Sequence, residues 1–117
     1  MHKKLIQIDL DGVLNNYDGH YEADKIASIK DGAFEFVQKL SNDFTLELFT
    51  VRDKQFCEMW LEKNNLSQFF EKVTNIKNPY ASVFIDDRAI NFDGNFNDIY
   101  EKIINFKPYW KNCSFIQ

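Results

Sequence analysis

Three short apolar runs in this chain each stop abruptly on a side-chain oxygen. Residues 4–8 run into Asp9, with Asp11 close behind; residues 45–49 run into Thr50; residues 82–85 run into Asp86 and Asp87. Runs this short, bounded by turn-forming residues, read as buried strands. Between them the apolar pattern turns helical. Ala33, Phe36, Val37 and Leu40 recur at i, i+3, i+4 and i+7, which predicts a helix over residues 31–40. Asp53 reads as the N-cap of a second helix, with Phe56, Met59 and Trp60 turned inward and an end near Asn64 and Asn65. Residues 72–75 read as a further short strand, and Asn97 as the cap of a last helix carrying Ile99, Tyr100, Ile103 and Ile104. Strands alternating with helices build a parallel sheet, so the expected fold is a single α/β domain, Rossmann-like and three layers deep, with helices on both faces.

Composition narrows the function. The length of 117 residues leaves room for one domain, residues 1–117, and the 44% hydrophobic content with 12 Phe supplies a core. A net charge of −4, with no long run of like charge, argues against a duplex-binding module. Cys57 and Cys113 stand in no CxxC or His-rich context, and the N-terminus turns polar after a few apolar residues, unlike a secretory signal. A reduced, cytoplasmic protein is expected. No apolar stretch approaches the roughly 20 residues of a membrane span, so no membrane partner is expected. Phe106, Tyr109, Trp110 and Phe115 read as residues that close the core.

In a doubly wound parallel sheet the C-terminal ends of the strands share one edge, where ligands bind. That topology would gather Asp9, Asp11, Asp86, Asp87 and Thr50 in one crevice. Like charges about 4 Å apart repel by roughly 4 kcal/mol at an effective dielectric of 20, so such a cluster needs a cation or a shared proton. With only oxygen donors on offer, the expected ion is Mg²⁺, held among Asp9, Asp11, Asp86 and Asp87. An EF-hand loop is excluded, because Val13 and Leu14 stand where its ligands and glycine would be. Arg52 and Arg88, the only arginines, follow two of the motifs within a residue or two and suit phosphate oxygens. Carboxylates, a hard cation, a hydroxyl and guanidinium groups together can carry out phosphoryl transfer.

Ile8-Asp9-Leu10-Asp11-Gly12-Val13, Thr50 in Phe49-Thr50-Val51-Arg52, and Ile85-Asp86-Asp87-Arg88 resemble motifs I, II and IV of the haloacid dehalogenase (HAD) superfamily of phosphatases. The resemblance runs in order from about residue 4 to residue 91. It implies a Mg²⁺-dependent phosphomonoester hydrolase in which Asp9 is the nucleophile and Asp11 protonates the leaving group and then activates water. Asp86, Asp9 and the carbonyl of Asp11 would hold the metal, Thr50 would bind the phosphate, and a lysine would bridge it to the nucleophile. Lys77, nine positions before Asp86, resembles that lysine, with Lys72 as a rival. Residues 13–30 amount to a short flap loop, so the chain resembles a capless member whose site is open or covered by a second copy. The expected substrate is a phosphorylated small molecule or the phosphorylated end of a polymer. Two other readings compete: a metal-dependent nuclease in which the carboxylates activate water directly, and a non-catalytic phosphoacceptor or binding domain.

Overall fold

A computed structural model of the protein describes residues 3–111. The element order is β1 (Lys4–Asp9), α1 (Ala33–Asp43), β2 (Phe44–Phe49), α2 (Lys54–Lys63), a single 3-10 turn (Ser67–Phe69), β3 (Phe70–Thr74), β4 (Ala81–Ile85) and α3 (Phe96–Ile104). The four strands form one parallel sheet in the order β3-β2-β1-β4, as expected for a Rossmann-like α/β fold.

Strand alternation decides which side chains meet. Ile6 and Ile8 of β1 pair in register with Leu46 and Leu48 of β2, and Leu48 with Val73 of β3, so these apolar residues share one face. Ala33 and Val37 of α1, and Cys57, Trp60 and Leu61 of α2, pack into the same core, joined by Leu10, Leu14 and Leu66. The chain moves from β1 to β2 to β3 in one direction, and right-handed crossovers therefore place both intervening helices on the same face. The step from β3 to β4 reverses direction across β1, which requires the opposite face. No helix makes that crossing. Six residues, 75–80, span it, and buried Gln7 of β1 holds them: its Nε2 donates to Ile76 O at 3.1 Å and its Oε1 accepts from Asn78 N at 3.0 Å.

Several expectations therefore need correction. Among the described residues no third layer is packed, because α3 buries none of its residues and Tyr100, Ile103 and Ile104 are exposed. On α2 the buried stripe is Cys57, Trp60 and Leu61, while Phe56 and Met59 face outward; on α1 Phe36 is exposed. The last helix is capped by Asn95, whose side chain accepts from Asn97 N, rather than by Asn97. The cap at Asp53 forms as expected, its carboxylate accepting from Phe56 N at 3.2 Å. Asn65, at a left-handed φ of 61°, ends the α2 turn and turns Leu66 into the core. Cys113 and Phe115 lie outside the described residues. Among those residues no helix is long and apolar enough to cross a membrane.

Candidate functional site

The sheet order puts β1 between β2 and β4, so the chain reverses direction around β1 and a crevice opens at its C-terminal end. Asp9 is the last residue of β1, Thr50 follows β2, and Asp86 and Asp87 follow β4. A crevice of about 340 Å³ there is lined by Asp9, Asp11, Thr50, Asp86 and Arg88, with Tyr17, Tyr21, Phe49 and Val51 as its apolar wall.

Asp9, Asp86 and Asp87 bring carboxylate oxygens within 4.8 Å of one another. Burial, a hydrogen bond with Asp87 and the charges of Asp86 and Asp87 push the Asp9 carboxyl up to about 8, against the weaker pull of the Leu10 N–H on its Oδ1. Asp87 Oδ1 is buried and accepts from no N–H or hydroxyl, and a proton on Asp9 is what the Asp87 carboxylate meets when no cation is bound. An orphaned carboxylate oxygen beside two more carboxylates fits a hard divalent cation, and every donor present is oxygen. The side chain of Asp11, expected among the ligands, stands apart from that trio: its Oδ2 accepts from Arg52 Nε at 2.7 Å and its Oδ1 from Asn15 Nδ2 at 3.0 Å.

The raised Asp9 value sets a pH dependence. In the unfolded chain Asp9 titrates near 3.8 and in the folded one near 8, so between these values the unfolded state has lost a proton that the folded state keeps. Stability from this group is fully present below the lower value and falls as pH rises to the upper one. Asp9→Asn, which cannot ionise, is expected to gain stability over wild type at pH 8 in EDTA, and to lose that advantage near about pH 4. Thermal unfolding at the two pH values is the check. A Tm difference independent of pH would show that Asp9 is not held protonated.

Thr50 is buried at the crevice floor. Its Oγ1 accepts from Arg52 N at 3.2 Å, and its own O–H, without a partner among the described residues, is left to donate to an oxyanion. Arg52 is not placed to grip a phosphate. Its guanidinium is buried, paired with Asp11, donates from Nη1 to Glu22 O at 2.7 Å, and lies 4.5 Å from the Tyr21 ring centroid. It is a strut tying Asp11 and the flap to the end of β2. Arg88 lines the crevice, and its N–H donates to Asp86 Oδ1 at 2.8 Å. Lys77 is not brought to the site: its Nζ lies 4.6 Å over the Phe84 ring. It belongs to the crossover, on the way back to the opposite edge of the sheet. Lys72, on β3, does not line the crevice either.

Two groups of residues had no motif to announce them. Asn15 is fully buried and organises the turn after β1, its Oδ1 accepting from Gly12 N at 3.0 Å and its Nδ2 donating to Asp11. Its signal was an amide four positions after Asp11, close enough for a local side-chain turn. Tyr109 and Trp110, expected in the core, dock instead on the motif loops: Tyr109 O–H donates to Gly12 O at 2.6 Å and Trp110 Nε1–H to Asp87 Oδ2 at 2.5 Å. Gly12 has a φ of 85°, and a Cβ there would overlap Asp87 Oδ2 and Trp110 Nε1, so only glycine fits. Residues 13–30 fold back on themselves through the bridges Asn15↔Ile29 and Glu22↔Lys25. Compared with models of known protein families, with curated proteins and with solved structures, the chain matches none.

Proposed function

We propose that this protein is a divalent-metal-dependent phosphomonoester hydrolase of the type its motifs resemble, acting through an aspartyl-phosphate on Asp9. The reading is carried by one observation: Asp9, Asp86 and Asp87 meet at a sheet edge around an orphaned carboxylate oxygen, with the Thr50 hydroxyl beside the same crevice. Mg²⁺ is the expected ion, and when bound it would keep Asp9 ionised and offset charge on the transferring group. Asp9 then supplies the attacking oxygen, whose bond to phosphorus forms as the bond to the leaving oxygen breaks. Thr50 donates its O–H to a phosphoryl oxygen, and Arg88 supplies the positive charge that lines the crevice. Asp11 delivers a proton to the leaving oxygen and takes one from the water that later hydrolyses the aspartyl-phosphate, returning Asp9.

The nuclease-like alternative, in which water attacks without a covalent intermediate, draws support from the state of Asp11. Its two oxygens are tied to Arg52 and Asn15, which leaves one lone pair on each for a proton and lets it serve the leaving oxygen only where that lone pair faces it.

The test is a screen of the protein with and without Mg²⁺ against phosphomonoesters, including nucleotides, sugar phosphates and oligonucleotides with 3′ or 5′ phosphate. Metal-dependent release of phosphate is the expected result, and inertness across the panel counts against the proposal. On the best substrate Arg88→Met is expected to lower kcat/KM by roughly 10²-fold, the usual cost of one preorganised charge, and Lys77→Met to change it little. The opposite order would return the phosphate-bridging job to Lys77 and require residues 75–80 to rearrange.

A further inference from the structure

The C-terminal part of the described chain reaches back to the site, and nothing in the proposed chemistry uses it. Tyr109 and Trp110 are adjacent in sequence yet contact two different motif loops, the turn after β1 at Gly12 and the turn after β4 at Asp87. Their rings are seated. Trp110 meets Tyr17 edge to face at 5.1 Å between centroids, and Lys30 Nζ lies 5.1 Å over the Tyr109 ring. The glycine at position 12 is required by the same packing, since any side chain there would displace both Asp87 and the indole.

An indole N–H donates and never accepts, so its bond to Asp87 has one sense. Oδ2 is held as an acceptor and Oδ1 is buried, which fixes the plane of a carboxylate that brings an oxygen within 4.8 Å of those of Asp9 and Asp86. A carboxylate meant for a cation does its work only in one rotamer, and a neighbouring donor that fixes the rotamer lowers the ordering cost of binding.

We propose that Trp110 is a positioning residue for the divalent cation: through its Nε1–H it orients Asp87, and Tyr109, anchored on Gly12 O, holds Trp110 in place. This inference rests on the metal-dependent reading of the site. Residues that orient a ligand in this way typically change metal affinity by about 10- to 100-fold when replaced.

The test measures binding apart from turnover, by titrating the metal-free protein with Mn²⁺ in a calorimeter. Trp110→Phe keeps an aromatic ring against Tyr17 and removes the N–H; it is expected to weaken Mn²⁺ binding by roughly tenfold or more. Tyr109→Phe, which removes the anchor and keeps the ring, is expected to weaken it in the same direction by less. In an Asp87→Ala background, which removes the acceptor itself, Trp110→Phe is expected to cost nothing further, because the group through which the indole acts is gone. That lack of additivity separates orientation of Asp87 from a general loss of packing. Trp110→Phe that binds Mn²⁺ as tightly as wild type, or whose effect persists in full in the Asp87→Ala background, overturns the positioning role and leaves the metal site standing. Wild-type protein that binds no Mn²⁺ overturns both the metal-dependent reading and the role of Trp110.

Discussion

Asp9→Asn is expected to abolish turnover, lowering kcat by roughly 10⁴-fold or more, as removal of a covalent nucleophile does elsewhere. An amide cannot attack phosphorus, and it cannot supply the negative charge that one of three converging carboxylates brings to a cation. The same substitution removes the buried charge whose desolvation, with the neighbouring Asp87 and Asp86, pushes Asp9 up to about 8, so lost activity should come with gained stability at pH 8 in EDTA. Steady-state kinetics and thermal unfolding on one preparation check both. Wild-type protein quenched in acid during turnover is expected to carry bound phosphate and the variant none. Turnover by Asp9→Asn within a few-fold of wild type would remove the covalent mechanism.

Asp11→Asn is expected to separate the two steps of the reaction. Loss of general acid catalysis typically costs about 10² to 10⁴ fold, and the first step should suffer most with a poor alkoxide leaving group. A nitrophenyl phosphate needs little protonation, so its first step should survive while hydrolysis of the aspartyl-phosphate slows. The expected signature is a burst of nitrophenolate followed by a slow steady state. Asp11 also pairs with buried Arg52, and an amide nitrogen facing Nε or Asn15 Nδ2 would oppose donor to donor, at a cost of about 1–3 kcal/mol in stability. The ratio of the two substrates within the variant removes that effect from the comparison. Equal slowing of both substrates with no burst, together with weakened Mn²⁺ binding, would favour direct attack by water.

The strand ends were legible because an apolar run that stops on a carboxylate leaves little freedom: β1, β2 and β4 end where Asp9, Thr50 and Asp86 begin. Helix faces were harder to read. Cys57 sits one position from Phe56 and Leu61 two from Met59, and on a ten-residue helix where Phe56, Cys57, Met59, Trp60 and Leu61 are all apolar, packing rather than pattern chose the buried stripe. The missing layer was not legible either, since the crossover direction follows from strand order and the amphipathic spacing of Ile99, Ile103 and Ile104 says nothing of where that face goes. At the site, motif spacing drew attention to Arg52 and Lys77 as cations near the right strands. It could not distinguish a guanidinium spent on Asp11 from one open to a ligand, nor a lysine returning across the sheet from one at its edge. The bond from Trp110 to Asp87 joins residues far apart in sequence, and no local pattern encodes it.

The crossover without a helix has a consequence for how the molecule opens. Two of the three clustered carboxylates follow β4, an edge strand whose core-facing Val83 is 49% exposed, and only the bends and turn of residues 75–80, pinned by Gln7, lead into it. Such a strand is expected at the low end of local stability, opening before β1, β2, β3 and their helices unfold. In that partly open population Asp9 and Thr50 persist as a half-site. A cation held by Asp9, Asp86 and Asp87 would bind only the closed population, so its apparent affinity would carry the equilibrium of strand docking, and binding would favour the docked strand.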